Sequence, residues 1–146
     1  FKKYTGYQNN QTDMIYARLQ DYLENEKIDD FFTTINSIFA GIPYEVFIDR
    51  EDYYNSIIYT ILLLVSMNGK FEEMSNIGRL DCAIVLEKIV YIFEFKLNDK
   101  VENCINQIKE KKYYEKFVNL KKDIYLIGVV YNSESKNIQN WQYEKM

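Results

Sequence analysis

Gly78-Arg79-Leu80-Asp81-Cys82-Ala83-Ile84-Val85-Leu86-Glu87-Lys88-Ile89-Val90-Tyr91-Ile92-Phe93-Glu94-Phe95-Lys96-Leu97 is the stretch that decides the fold of this 146-residue chain. It holds two apolar runs, Leu80 to Leu86 and Ile89 to Leu97, with only Glu87-Lys88 between them. So short a connection predicts a tight antiparallel hairpin. Side chains alternate along a strand, so Val90, Ile92, Glu94 and Lys96 share one face while Tyr91, Phe93, Phe95 and Leu97 take the other. Two charges therefore stand on an apolar strand face, and a third, Asp81, lies on the strand before it. A charge taken out of water costs several kcal/mol unless it is paired or holds a metal, so each of the three needs a partner.

Outward from the hairpin, the pattern alternates between helix and strand. Upstream, apolar residues recur at helical spacing from Thr12-Asp13 to about Asn25, again from Ile28 to Phe39, and from Asp49 or Arg50 to Asn68, with Gly69 as a stop. Gly41 and Pro43 close the first pair. Downstream, a helix is expected from Asp99 to about Phe117, with Asp99 capping it and Glu102 reaching back in a capping box. A third strand follows at Asp123 to Tyr131 and a short fourth at Asn137 to Tyr143. A helical crossover between the second and third strands predicts that they run parallel.

Asp81 with Glu94-Phe95-Lys96 resembles the signature of the PD-(D/E)XK nuclease superfamily. The order Gly78-Arg79-Leu80-Asp81, Glu94-Phe95-Lys96, Gln107-Ile108, Tyr113 and the strand Ile124 to Tyr131 is similar to the branch found C-terminal to AAA-ATPase-like domains. The likeness runs from about Ile42-Pro43-Tyr44 to the C-terminus, with Leu80 where the superfamily's name has Pro. It implies an α/β fold: a restriction-endonuclease-like mixed β-sheet core flanked by helices, carrying a helical N-terminal extension over residues 1–43 and a nuclease-like domain over 44–146. It further implies Mg²⁺ or Mn²⁺ held by Asp81, Glu94 and the Phe95 backbone carbonyl, with Lys96 assisting the attacking water. Gln107 would orient a ligand or water, and Glu51, with Asp52 as its competitor, would add a carboxylate. The function implied is metal-dependent hydrolysis of phosphodiester bonds, DNA foremost. The alternative is an inactive nuclease-fold module binding nucleic acid or protein within a larger ATPase protein.

Composition leaves that chemistry open and closes others. The chain has no histidine, which removes Ser-His-Asp and Cys-His catalysis and histidine-bound zinc. Its five glycines are scattered, so no phosphate-cradling or dinucleotide loop is present. Hard carboxylate oxygens select Mg²⁺ or Mn²⁺ over softer metals. Cys82 and Cys104 read as small core hydrophobes, not a disulfide. The longest apolar run, Ile57 to Met67, falls short of the roughly 20 residues that span a bilayer, and a cytoplasmic, membrane-free protein is expected. Apolar residues at 47% and aromatics at 16% predict a well-packed single core.

The net charge of −4 is unevenly spread. Residues 1–50 carry five basic and eight acidic side chains, whereas residues 96–122 carry eight lysines against four acids. The basic stretch abuts the candidate site, and Lys100, Lys109, Lys112 and Tyr113 are its candidate nucleic-acid contacts. Plain structural explanations stand beside each assignment. Glu94 and Lys96 could pair at an exposed edge, Asp81 could pair with Arg79, and Gln107 could be a surface amide. The acidic residues Glu51 and Asp52 suit a helix N-terminus without catalysis, the lysines suit a solvated helix face, and Tyr113 suits packing.

Overall fold

The computed structural model describes residues 14–46, 50–67, 71–76 and 81–146, with the side chains of Tyr44, Glu51 and Asn76 left aside. Five strands form one mixed sheet in sequential order: β1 (Glu73–Asn76), β2 (Asp81–Val85), β3 (Ile89–Leu97), β4 (Asp123–Asn132) and β5 (Asn137–Lys145). β3 and β4 are parallel and every other neighbouring pair is antiparallel. Helix α1 is described over residues 14–24; α2 (Ile28–Ala40), α3 (Glu51–Ser66) and α4 (Val101–Lys111) follow. The stretch containing Gly78, Arg79 and Leu80, like Asn68-Gly69, lies outside the described residues.

The hairpin forms as the alternation requires, with the Leu86 N–H donating to the Ile89 carbonyl at 2.8 Å. β3 and the parallel β4 also follow the expectation. β1 does not: Glu73-Met74-Ser75-Asn76 is short and mostly polar, carries no strand signature, and forms because β2 offers an open backbone edge. β5 runs two residues beyond Tyr143, to Lys145.

The helix expected to run unbroken from Asp99 to Phe117 is divided. α4 ends at Lys111, Lys112 turns left-handed at φ 55°, and a 3₁₀ segment occupies Tyr113–Leu120. The expected capping box is absent as well. Lys100 is the N-cap residue, and the Asp99 carboxylate instead accepts the Lys100 N–H at 2.7 Å and the Asn103 Nδ2 at 2.6 Å. Those two donors hold the Asp99 carboxyl below its ordinary value.

Both faces of the sheet are covered, and they are covered differently. Tyr91, Phe93 and Phe95 of β3 join Cys82, Ile84, Tyr125, Ile127, Val129 and Tyr131 beneath α1, α2 and α3, whose Leu19, Leu23, Phe31, Phe32, Phe39 and Tyr54 complete an aromatic core. The opposite face presents smaller side chains, Ala83, Val85, Val90, Ile92, Ile124 and Leu126, to Ile105 and Ile108 of α4 and to Phe117. Each Val, Ile, Leu or Phe among them contributes roughly 1.5–3 kcal/mol when fully buried. Cys82 and Cys104 are free and buried, on opposite sides of the sheet. Among the described residues, no helix is long and apolar enough to cross a membrane.

Two buried phenols tie the N-terminal helices to the sheet. The Tyr91 hydroxyl donates to the Leu23 carbonyl and the Tyr125 hydroxyl to Glu26 Oε1, each at 2.5 Å. The Asn36 side chain both donates to and accepts from the Ile138 backbone, at 3.0 and 2.9 Å, tying α2 to β5. Burial, reinforced by Glu26, pushes the Tyr125 phenol up to about 12 and raises Tyr91 in the same direction. A phenol whose folded value is raised stabilises the fold fully below its unfolded value near 10, and that contribution is lost as pH climbs through the folded value. Chemical denaturation should therefore show stability falling between about pH 10 and 12. Tyr125→Phe should flatten this decline while lowering stability near neutrality by about 1 kcal/mol.

Candidate active site

The β2–β3 register sets Asp81 directly opposite Glu94. Facing residues of an antiparallel pair share a sheet face with their Cβ atoms about 4.5–5.5 Å apart, so the two carboxylates are neighbours. They stand on the α4 side of the sheet, and the exposures of 4% for Asp81 and 2% for Glu94 mark both as buried. Glu94 Oε2 is buried without a hydrogen-bond partner among the described residues. Lys96, half-buried, follows two positions along on the same face. The side chains of Phe93 and Phe95 point the other way, stacked 5.8 Å apart.

The same row continues through β4, where Gly128 is in register with Glu94. A Cβ on Gly128 would stand 2.7 Å from Cys104 Cβ and 2.9 Å from the Val101 carbonyl oxygen. Glycine is what lets the first turn of α4 lie on the sheet beside Glu94. Lys109, on one flank of α4, reaches Glu144 of β5 at 2.7 Å. Helical geometry then puts half-buried Gln107 and exposed Lys111 on the opposite flank, toward β3 and β2. The chain returns there through Tyr113, which packs beside the Ala83–Ile92 cluster. Burial raises the Tyr113 phenol, hydrogen bonding to Lys111 opposes that rise, and hydrogen bonding to Asp81 adds to it. Tyr113 thus lies between Lys111 and Asp81. Burial, with the Asp81 charge next to it, pushes the Cys82 thiol up, so it is an inert core group.

The remaining candidates are spread more widely. Residue 51 opens α3, whose Tyr54 stacks on Tyr131 at 4.9 Å and whose Asn55 accepts the Tyr131 hydroxyl at 3.1 Å, over the C-terminal ends of β3 and β4. The Glu51 side chain lies outside the described residues, as does Arg79, the alternative partner for Asp81. Asp52 is exposed and paired with Arg50 at 3.0 Å. Lys100 is exposed at the start of α4 and Lys112 at its end. Sequence reading passed over Lys111 and Gly128. Lys111 was one lysine among eight, and nothing short of the packed α4 shows why position 128 excludes a side chain.

Two adjacent buried carboxylates, one with an unbonded oxygen, suit a hard divalent cation. Among the described residues no three His, Cys, Asp or Glu side chains converge as a metal-binding group, so such a cation would take two carboxylates and complete its shell with main-chain and non-protein oxygens. A family model described as the PD-(D/E)XK nuclease superfamily matches residues 49–141. The chain is also 25% identical over 137 residues to an uncharacterized protein in the vnfD 5′ region of Azotobacter chroococcum mcd 1. That alignment covers 89% of this chain and 27% of the relative, so the chain spans about a quarter of the relative's length. No solved structure matches it.

Like charges held side by side destabilise the metal-free protein, so Glu94→Gln should raise its melting temperature in EDTA. The same substitution should abolish the upward shift that millimolar Mg²⁺ or Mn²⁺ produces in the unsubstituted protein. Differential scanning calorimetry reads both effects, and an Mg²⁺ shift retained by Glu94→Gln would remove Glu94 from the site.

Proposed function

The chain belongs to the PD-(D/E)XK nuclease superfamily, and on that premise we propose that it hydrolyses phosphodiester bonds of nucleic acid, DNA foremost, using Mg²⁺ or Mn²⁺. The observation that carries this reading is the in-register pairing of two buried carboxylates, Asp81 and Glu94, with Lys96 next on the same face. Asp81, Glu94 and the Phe95 main-chain carbonyl would hold the cation. When bound, such an ion polarises a phosphoryl oxygen and lowers the pKa of a water from about 15.7 toward neutrality.

The chain's own groups do the rest. Lys96 carries its ammonium on a four-carbon stem, long enough to hydrogen-bond an attacking water or offset charge growing on the phosphoryl oxygens. Gln107, on the flank of α4 that faces β3, orients a ligand carboxylate or that water. Glu51 supplies a further carboxylate from the first turn of α3. Phosphates flanking the cleaved bond meet Lys100, Lys112 and Tyr113, whereas Lys109, expected from the sequence to join them, is paired with Glu144 on the other flank of α4. The ordered series Gly78 to Asp81, Glu94 to Lys96 and Gln107 to Tyr113 supports a place behind an ATPase portion of a larger cytoplasmic protein, with residues 1–43 as a helical extension and 44–146 as the nuclease domain.

Lys96→Met keeps the aliphatic stem and removes the charge. It should reduce Mg²⁺-dependent cleavage of labelled single-stranded and duplex DNA by about 10²-fold or more, with an unchanged melting curve. Cleavage at the full rate in this variant would exclude Lys96 from the chemistry.

A further inference from the structure

We propose that the cleft where α4 meets the 3₁₀ segment binds, through Lys111, Lys112 and Lys116, a backbone phosphate neighbouring the one cleaved on the same nucleic-acid strand. The proposal rests on the nuclease reading for the identity of the ligand and on three features of the cleft for its location. The first is shape and charge. Lys111, Lys112, Tyr113, Glu115 and Lys116 line a concavity of about 530 Å³, three ammonium groups against one carboxylate. The left-handed turn at Lys112 makes this concavity, because an unbroken helix would have sent Lys111 and Lys116 to different faces.

The second feature is the absence of internal neutralisation. Three other lysines are committed to carboxylates: Lys109 to Glu144, Lys122 to Glu72 and Lys145 to Asp123. Among the described residues no carboxylate within ion-pair distance neutralises Lys111, Lys112 or Lys116. Two of them are nevertheless held in place, Lys111 with its Nζ 5.6 Å from the centre of the Tyr113 ring and Lys116 with its Nζ 5.3 Å from that of Phe117. Seating a lysine on an aromatic ring restricts its stem while leaving N–H donors free for an anion. Clustered cations that repel one another and are restrained by packing favour a multiply charged acceptor such as the phosphodiester backbone.

The third feature is continuity with the carboxylates. Tyr113 lines the cleft and also hydrogen-bonds to Asp81, so a single side chain separates the lysines from the candidate metal site. A strand whose phosphate rests on the lysines therefore has an adjoining phosphodiester within reach of Asp81 and Glu94. Lys111 and Lys116 thereby join Lys112 as the groups that register the substrate.

The test is the salt dependence of binding, read by fluorescence anisotropy with a labelled single-stranded oligodeoxynucleotide in EDTA, where no cleavage intervenes. Each phosphate neutralised on a single strand contributes a slope of about −0.7 in log K against log salt. The triple variant Lys111→Ala, Lys112→Ala, Lys116→Ala should lose about 0.7, the share of that one phosphate, from the magnitude of the wild-type slope and bind about tenfold or more weakly at low salt. The corresponding triple arginine variant should restore the slope, and Lys145→Ala, which changes charge away from the cleft, should leave it unaltered. A wild-type protein that binds with the same slope as the triple alanine variant, or a wild-type protein that does not bind, overturns the proposal. Mg²⁺-dependent cleavage, measured on the same proteins, separates the two readings. Binding with the expected slope but without cleavage counts against the nuclease and supports the cleft; cleavage with an unchanged slope does the reverse.

Discussion

Asp81 and Glu94 face each other across the β2–β3 ladder inside a sheet that is covered on both sides, and this juxtaposition constrains the rest of the structure. Strand geometry fixes it: once the two-residue turn sets the register, both carboxylates must share a face. Water would solvate them if that face were open, but α4 and the 3₁₀ segment close over it. A fold that retains two like charges in that position has kept an arrangement with a standing energetic cost, and the oxygen-rich environment they create is what a hard cation satisfies.

The neighbouring side chains are organised around that arrangement by size. On the far side of β3, aromatic rings stack in sequence from Phe93 through Phe95 to Tyr131, filling the space under α2 and α3. On the near side the residues are small, and at Gly128 there is no side chain at all, which lets α4 rest against the sheet. The wide helical layer and the close helix therefore serve different ends. The first supplies most of the buried aromatic surface, and through the phenols of Tyr91 and Tyr125 it fastens α1 and the turn that follows it to the sheet. The second brings Gln107, Lys111 and Tyr113 to the edge of the carboxylate pair, while its other flank is tied to β5 by Lys109 and Glu144.

Charge on this side of the molecule is likewise sorted by geometry. Eight lysines between residues 96 and 122 look interchangeable as a list, yet the fold gives them separate surroundings. Lys122 donates to Glu72 and to the Leu86 carbonyl, bracing the turn end of the sheet far from the carboxylates. Lys111 and Lys116 lie over aromatic rings beside the site. A basic stretch in sequence is thus divided between lysines paired to carboxylates and lysines seated on aromatic rings, and the turn at Lys112 brings Lys111 and Lys116 of the second kind into one concavity.

The sequence by itself determined the hairpin, the parallel third strand and the placing of Glu94 with Lys96 on the face opposite Phe93 and Phe95, because a period of two and a two-residue connection leave no other arrangement. Apolar spacing also located the N-terminal helices, since their buried stripes are local patterns. Only the tertiary structure decided the rest. β1 exists because β2 has an edge to pair with, which no propensity in Glu73–Asn76 encodes. The helix after Asp99 stops at Lys111 because its next turn must fold back to seat Phe117 in the core, and the side chain of Asp99 meets Lys100 and Asn103 instead of capping. The burial of Asp81 and Glu94 beneath α4, the closeness of α4 at Gly128 and the position of Tyr113 between Lys111 and Asp81 all join residues distant along the chain. Such contacts follow from packing volumes and strand register, which a local pattern does not contain.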